Sequence, residues 1–176
     1  MKTAIFYGST YGNTQDSAEK LADLLETQIG EKPELFDVCG ASADDLIAFD
    51  FLLVGCSTWN VGELQDDWND RLSELDGLDF SGKFVAFFGA GDQVGYADTF
   101  VDGLGILAEK FAECGATLVG AWPTQGYDHD LSRADRGDGF FVGLPLDYDN
   151  QSDLTDERLE AWAALLAREI TAVPVS

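Results

Sequence analysis

The sequence predicts an α/β fold: a parallel sheet with helices on both faces. Three observations predict it. Short apolar runs alternate with helix-period segments along the chain, the pattern of βαβ units. Two of the runs, "DFLLVGC" (Asp50–Cys56) and "KFVAFF" (Lys83–Phe88), are apolar at nearly every position, as a strand covered on both faces requires. The chain of 176 residues, 45% hydrophobic and 24% charged, suits one domain over residues 1–176 with a sizeable core.

In order, Ala4–Tyr7 is the first strand, an apolar run ended by turn residues. Asn13–Gln28 carries apolar residues at helical spacing, and Asn13 or Thr14 is suited to cap it. Glu34–Val38 is a short second strand, and Ala41–Leu46 a turn or single helical turn. Asp50–Cys56 is the third strand, Leu64–Leu75 a helix, and Lys83–Phe88 the fourth strand. Thr99–Cys114 is a long amphipathic helix stopped by Gly115. Ala116–Trp122 is a fifth strand. Leu154–Ile170 is the last helix, with Ser152 or Asp153 near its cap and Pro174 beyond its end. One stretch breaks the rhythm, Pro123–Leu146. Loops of that length are uncommon in compact domains. Its "FFVGLPL" reads as strand again, so the stretch is expected to leave the fifth strand and return to it.

The net charge of −23, from 33 acidic and 10 basic residues, repels phosphate backbones and anionic bilayers. It excludes nucleic acid as a partner and favours proteins with basic faces. No apolar run reaches the ~20 residues of a membrane span, and the N-terminal apolar stretch is too short for a signal peptide. A cytoplasmic protein without membrane insertion is expected. Cys39, Cys56 and Cys114 match neither a disulfide framework nor a zinc pattern and read as buried thiols. His129, the one histidine, sits in the polar insertion and reads as a surface residue. Trp68, Trp122 and Trp162 read as core or helix-packing residues.

In an open parallel sheet, ligands sit beyond the carboxyl ends of the strands. Three segments leave such ends: Gly8–Thr14, Ser57–Glu63 and Gly89–Tyr96. The first, "GSTYGNT", joins a strand to a helix N-terminus, where free N–H groups and a partial positive charge suit a phosphate. Ser9, Thr10 and Thr14 add hydroxyls, Asn13 an amide, and Gly12 permits close backbone approach. An ordinary helix cap accounts for the same residues. No Gly-Lys-Ser/Thr follows, so this is not a Walker loop. The other two segments each place an aromatic, Trp59 or Tyr96, in a polar, turn-rich loop. Together the three ends point to a planar ring system that carries a phosphate. A phospho-receiver switch, which shares this architecture, needs acidic residues where the chain has "YGST" and "VGC".

Four motifs, in this order, resemble the flavodoxin family, in its long-chain form: "IFYGSTYGNTQDSAEKL" (Ile5–Leu21), "GCSTWNVGELQDDW" (Gly55–Trp68), "FFGAGDQVGYADTF" (Phe87–Phe100) and "FVGLPLDYDNQSDLTDERLEAW" (Phe141–Trp162). The resemblance implies a flavodoxin-like five-stranded sheet of order 2-1-3-4-5, with an insertion in the fifth strand from Pro123 to about Phe140. It implies non-covalent FMN and one-electron transfer in place of enzyme catalysis. Ser9, Thr10, Tyr11, Gly12, Asn13 and Thr14 would hold the phosphate. Ser57, Thr58, Trp59, Asn60, Val61 and Gly62 would form the loop over one face of the flavin, and Ala90, Gly91, Asp92 and Tyr96 the loop over the other. Trp59 and Tyr96 would sandwich the ring, and the Asn60–Val61 peptide would rearrange on reduction. No metal site is expected.

The family usually has threonine where this chain has Tyr11, so the backbone N–H there is the expected contact. Asn60 and Val61 lack glycine, so a positive φ on rearrangement would carry strain and disfavour the neutral semiquinone. Acidic residues Glu63, Asp66, Asp67, Asp92 and Asp98 near the loops would oppose an anionic hydroquinone and lower its potential. The implied protein is a monomeric low-potential carrier between a flavodoxin reductase or photosystem and acceptor enzymes. The rival on the same fold is an FMN-dependent NAD(P)H quinone reductase. Aromatic cover on both flavin faces would leave nicotinamide no stacking room.

Overall fold

The computed structural model describes residues 1–172, and Pro174 lies outside the described residues. The elements run β1 (Thr3–Tyr7), α1 (Asn13–Ile29), β2 (Glu34–Asp37), α2 (Ala43–Ile47), β3 (Phe51–Gly55), β4 (Thr58–Trp59), β5 (Glu63–Leu64), α3 (Asp66–Arg71), β6 (Phe84–Ala90), α4 (Asp102–Glu113), β7 (Thr117–Leu118), β8 (Trp122–Pro123), β9 (Phe140–Phe141), β10 (Leu144–Leu146) and α5 (Thr155–Thr171). The main sheet is parallel, in the order β2-β1-β3-β6, and two separate pieces complete its edge. β7 pairs Phe84 and Val85 of β6, whereas β10 pairs Phe88, Gly89 and Ala90. The fifth strand is thus split in two, and the expected order 2-1-3-4-5 holds with β7 and β10 sharing the fifth place.

Alternation along the strands divides the core in two. Phe6, Leu52, Val54, Val85 and Phe87 point to one face, where Trp68, Leu104 and Phe111 pack on them. Ile5, Leu53, Ala86 and Phe88 point to the other, against Leu21 and Leu25 of α1 and Leu159, Trp162 and Leu166 of α5. Both faces are covered, which is why the strands read as unbroken apolar runs.

Residues 119–143 form the excursion. It is closed by an antiparallel pairing of Trp122 with Phe141 and Pro123 with Phe140. Tyr127, His129 and Phe141 cluster on Phe100. The excursion also donates the Asp130 and Leu131 N–H groups to Ala97 O, at 2.9 and 3.0 Å. It therefore braces the segment that follows β6.

Several expectations need correction. α1 is preceded by Gly12 at φ 93°, with no side-chain cap, so neither Asn13 nor Thr14 caps it. Leu64 lies in the β4–β5 hairpin, and α3 begins at Asp66, where the Gln65 side chain accepts Trp68 N–H at 3.3 Å. The helix expected from Thr99 begins at Asp102, after Val101 adopts φ 49°. Cys39 is exposed, and only Cys56 is fully buried. His129 is not a surface residue: its side chain is 9% exposed, its ring lies 5.0 Å from Phe141 and 5.6 Å from Phe100, and Nε2 is 3.4 Å from Asp135. Apolar rings pack on its faces and Asp135 stands beside Nε2, which keeps it inside the excursion.

Candidate cofactor site

The carboxyl ends of β1, β3 and β6 converge, and the loops leaving them line a cavity of about 440 Å³. Close backbone approach makes that convergence possible. A Cβ on Gly89 would stand 1.7 Å from Cys56 O, so only glycine lets β6 meet the end of β3.

The first loop supplies Ser9, Thr10, Tyr11, Asn13 and Thr14 to the wall. Gly12 does not line the cavity; its left-handed backbone turns the chain into α1, and its N–H donates to Ser9 Oγ at 3.1 Å. Among the described residues, the amides of Asn13, Thr14 and Gln15 meet no acceptor, as expected for a first helical turn without a cap, and neither does that of Tyr11 just before it. The Tyr11 side chain is 80% exposed and its ring lies 5.2 Å from that of Trp59. It leans over the rim, tilted 49° to the indole, which leaves its backbone N–H as the loop's contribution there.

The second loop supplies Ser57, Thr58, Trp59 and Asn60. Ser57 Oγ and Thr14 Oγ1, 2.8 Å apart, tie it to the first loop. Thr58 Oγ1 accepts Gly103 N–H at 2.9 Å, which ties it to α4. Trp59 stands on β4, paired with Glu63 of β5. The connecting turn holds Asn60 at φ 46°, which asparagine tolerates, and its amide donates to Glu63 at 2.6 Å. Val61 is 75% exposed at the tip, and neither Val61 nor Gly62 lines the cavity. Gly62, at φ 80°, packs so closely on Asp102 and Thr99 that a Cβ would meet Asp102 Oδ2 at 2.8 Å. Trp59 Nε1 is buried and has no hydrogen-bond partner among the described residues.

The third loop supplies Ala90, Gly91, Asp92 and Tyr96. Asp92 Oδ1 accepts the Val94 and Gly95 N–H groups and Asn150 Nδ2. Those bonds, chiefly that from Gly95, hold its carboxyl below the usual carboxylate range against an opposing desolvation. Gln93 is buried and fastens the loop from beneath. Its N and Nε2 donate to Asp147 Oδ2 at 3.1 and 2.7 Å, and its Oε1 accepts Asp128 N–H at 2.6 Å. Beneath the site, burial pushes the Cys56 thiol up to about 12, so it stays protonated and inert.

A fourth wall carries residues that the sequence reasoning missed. Tyr148 and Asp149, just beyond β10, line the cavity with Thr99 and Val101. Among the described residues, Asp92 and Asp149 are the only charged side chains in the lining, and both are acidic. The arrangement offers backbone amides, hydroxyls and one buried indole N–H to an anion, and two aromatic residues to a flat ring. Among the described residues, no group of histidine, cysteine and carboxylate side chains is placed to hold a metal, and no helix is long and apolar enough to cross a membrane.

Comparisons with known proteins agree with this geometry. The Flavodoxin family model matches residues 5–162. A flavodoxin of Picosynechococcus sp. is 52% identical over 167 residues, covering 94% of this chain and 95% of the relative. Flavodoxin 1 of Azotobacter vinelandii is 51% identical over 172 residues, covering 96% and 97%. Among solved structures, Fusobacterium nucleatum flavodoxin bound to flavin mononucleotide superposes with a TM-score of 0.89 at 29% identity, over 96% of this chain and 99% of that one.

Proposed function

The chain belongs to the flavodoxin family, an FMN-binding electron carrier and not an enzyme, and from that premise we propose how it works. It is a cytoplasmic monomer that carries single electrons at low potential, with a flavodoxin reductase or photosystem as donor and acceptor enzymes beyond. The cavity described above would hold FMN, the first loop taking its phosphate and Trp59 and Tyr96 flanking its ring. When bound, FMN supplies the one-electron chemistry at its ring.

One observation carries the reading: a cluster of unpartnered donors with no cation among them. The free amides of Tyr11, Asn13, Thr14 and Gln15, with Trp59 Nε1, are the groups an anionic tail would satisfy. A phosphate gripped by neutral donors keeps its charge. Asp92 and Asp149 add to it. A unit negative charge at a separation of about 8 Å would cost about 2 kcal/mol at an effective dielectric near 20, and less where solvent screens it. That standing negative charge would oppose electrons added at the ring and so favour a low potential.

The chain's own residues then protect and expose the ring. Trp59 and Tyr96 cover its faces and keep water and nicotinamide from them. The turn at Asn60–Val61 stands at the ring's edge and reorients its peptide on reduction, Asn60 already occupying a left-handed conformation. The excess acid over the whole surface steers basic partners towards that edge.

The test is an absorption spectrum of the purified protein during stepwise photoreduction. We expect a yellow protein that takes up two electrons in separate steps and is not bleached by NADPH alone. Rapid bleaching by NADPH without a reductase would refute the carrier reading, and colourless folded protein that ignores micromolar FMN would refute the site.

A further inference from the structure

The first turn of α1 has no cap of its own. Gly12 offers no side chain, and Thr14 Oγ1 is turned towards Ser57. Yet the direction of that turn sets where its free amides point. A residue 135 positions later holds it: Tyr148 Oη donates to Asn13 O at 3.1 Å. The same oxygen also pairs with Ser17 Oγ. A phenol has one proton, and a carbonyl can only accept. The Tyr148 proton therefore goes to Asn13 O, and Ser17 donates to Tyr148. One hydroxyl thus spans two residues a helical turn apart on the same face of α1.

Tyr148 is itself fixed. Its ring packs on the α1–α5 core. Its neighbour Asp147 is fully buried, and that carboxylate accepts from Gln93 N and Nε2, Asp149 N, Asn150 N and Asn150 Nδ2. The sheet edge thus supplies a stationary point to which the helix start is pinned.

We propose that Tyr148 is a positioning residue for the phosphate grip: through its hydroxyl it aims the first-turn amides of α1 at the anionic end of the cofactor. This rests on the placement of FMN given above. The effect is confined to one end of the ligand. A flavin without phosphate gains nothing from aimed amides, so Tyr148 selects for the phosphorylated form.

The test titrates the apoprotein with FMN and with riboflavin, for the parent, Tyr148→Phe and Ser17→Ala, following flavin fluorescence. Far-UV circular dichroism establishes that each variant is folded. In Tyr148→Phe the FMN Kd should rise about five- to tenfold, the effect of one lost hydrogen bond, while the riboflavin Kd stays within about twofold. Ser17 is buried, outside the cavity lining, and holds Tyr148 from behind. Ser17→Ala should therefore weaken FMN alone, by a smaller factor. Equal weakening of both flavins in Tyr148→Phe would overturn the inference in favour of a general structural role. An FMN-only loss in Tyr148→Phe with none in Ser17→Ala would overturn it in favour of direct contact with the phosphate. If the parent binds FMN and Tyr148→Phe binds it equally, this inference alone fails. If the parent binds neither flavin, the placement of FMN fails and this inference with it.

Discussion

Replacing Trp59 by phenylalanine tests what the unpartnered indole N–H is for. In the protein alone that N–H is buried without an acceptor, a state that costs about 1–3 kcal/mol. Phenylalanine removes the unsatisfied donor and also part of the ring's packing surface. The smaller ring gives up about 1 kcal/mol of burial, so the two changes nearly cancel in the apoprotein. They do not cancel once the cofactor is bound. A hydrogen bond to a phosphate contributes about 1.5–3 kcal/mol, and the smaller ring loses about 1 kcal/mol of stacking. The sum predicts FMN binding weaker by a factor on the order of 10² to 10³. Urea unfolding of the apoprotein should give a midpoint close to the parent's, and calorimetric titration with FMN should show the loss. An FMN Kd within about threefold of the parent's would show that the N–H has no acceptor on the cofactor.

Three further outcomes follow from the same geometry. Gly89→Ala places a methyl 1.7 Å from Cys56 O, so the ends of β3 and β6 must part; denaturant unfolding should show a loss of about 3 kcal/mol, and a parent-like midpoint would contradict the close approach. The Asp92 carboxyl is held low in the folded protein, so its contribution is fully present above the unfolded value near 4 and lost as the pH falls through the lower folded value. Asp92→Asn should therefore lower stability at pH 7 and flatten the acid limb below about pH 4, and an unchanged limb in acid titrations would remove the carboxylate from the account. Stopped-flow electron transfer to a basic cytochrome should slow as salt rises from about 0.1 M to 1 M, where the Debye length falls from about 10 to 3 Å; a rate indifferent to salt would remove steering.

Much of this molecule is legible in its amino-acid order, for identifiable reasons. β1, β3 and β6 are covered on both faces, and burial on both faces leaves an unbroken apolar run in the sequence. The three loops are legible because turn residues follow those runs and the topology brings their carboxyl ends together. The edge is legible in outline, since "FFVGLPL" marks the return to the fifth strand after the excursion, as found. Its bounds are not: β7 is two exposed residues, and only pairing with β6 fixes where each of the two pieces lies. The missing cap at Gly12 is invisible too, since Asn13 and Thr14 are favoured N-cap residue types while a tertiary bond engages Thr14 elsewhere.

The fourth wall follows from that split edge. The rule that selects loops at carboxyl strand ends selects "DYDN" (Asp147–Asn150) only if the fifth strand ends at Leu146. The return at "FFVGLPL" is legible, but without the pairing of β10 on β6 nothing marks Leu146 as a carboxyl end level with those of the other strands, and Tyr148 and Asp149 look like linker. The excursion therefore does more than lengthen the chain. It moves the functional carboxyl end of the fifth strand downstream. The segment it moves there holds Gln93 and Asp92 of the third loop through Asp147 and Asn150, and the start of α1 through Tyr148. Two loops far apart in sequence thus share one support, and it lies on the strand that the chain makes in two pieces.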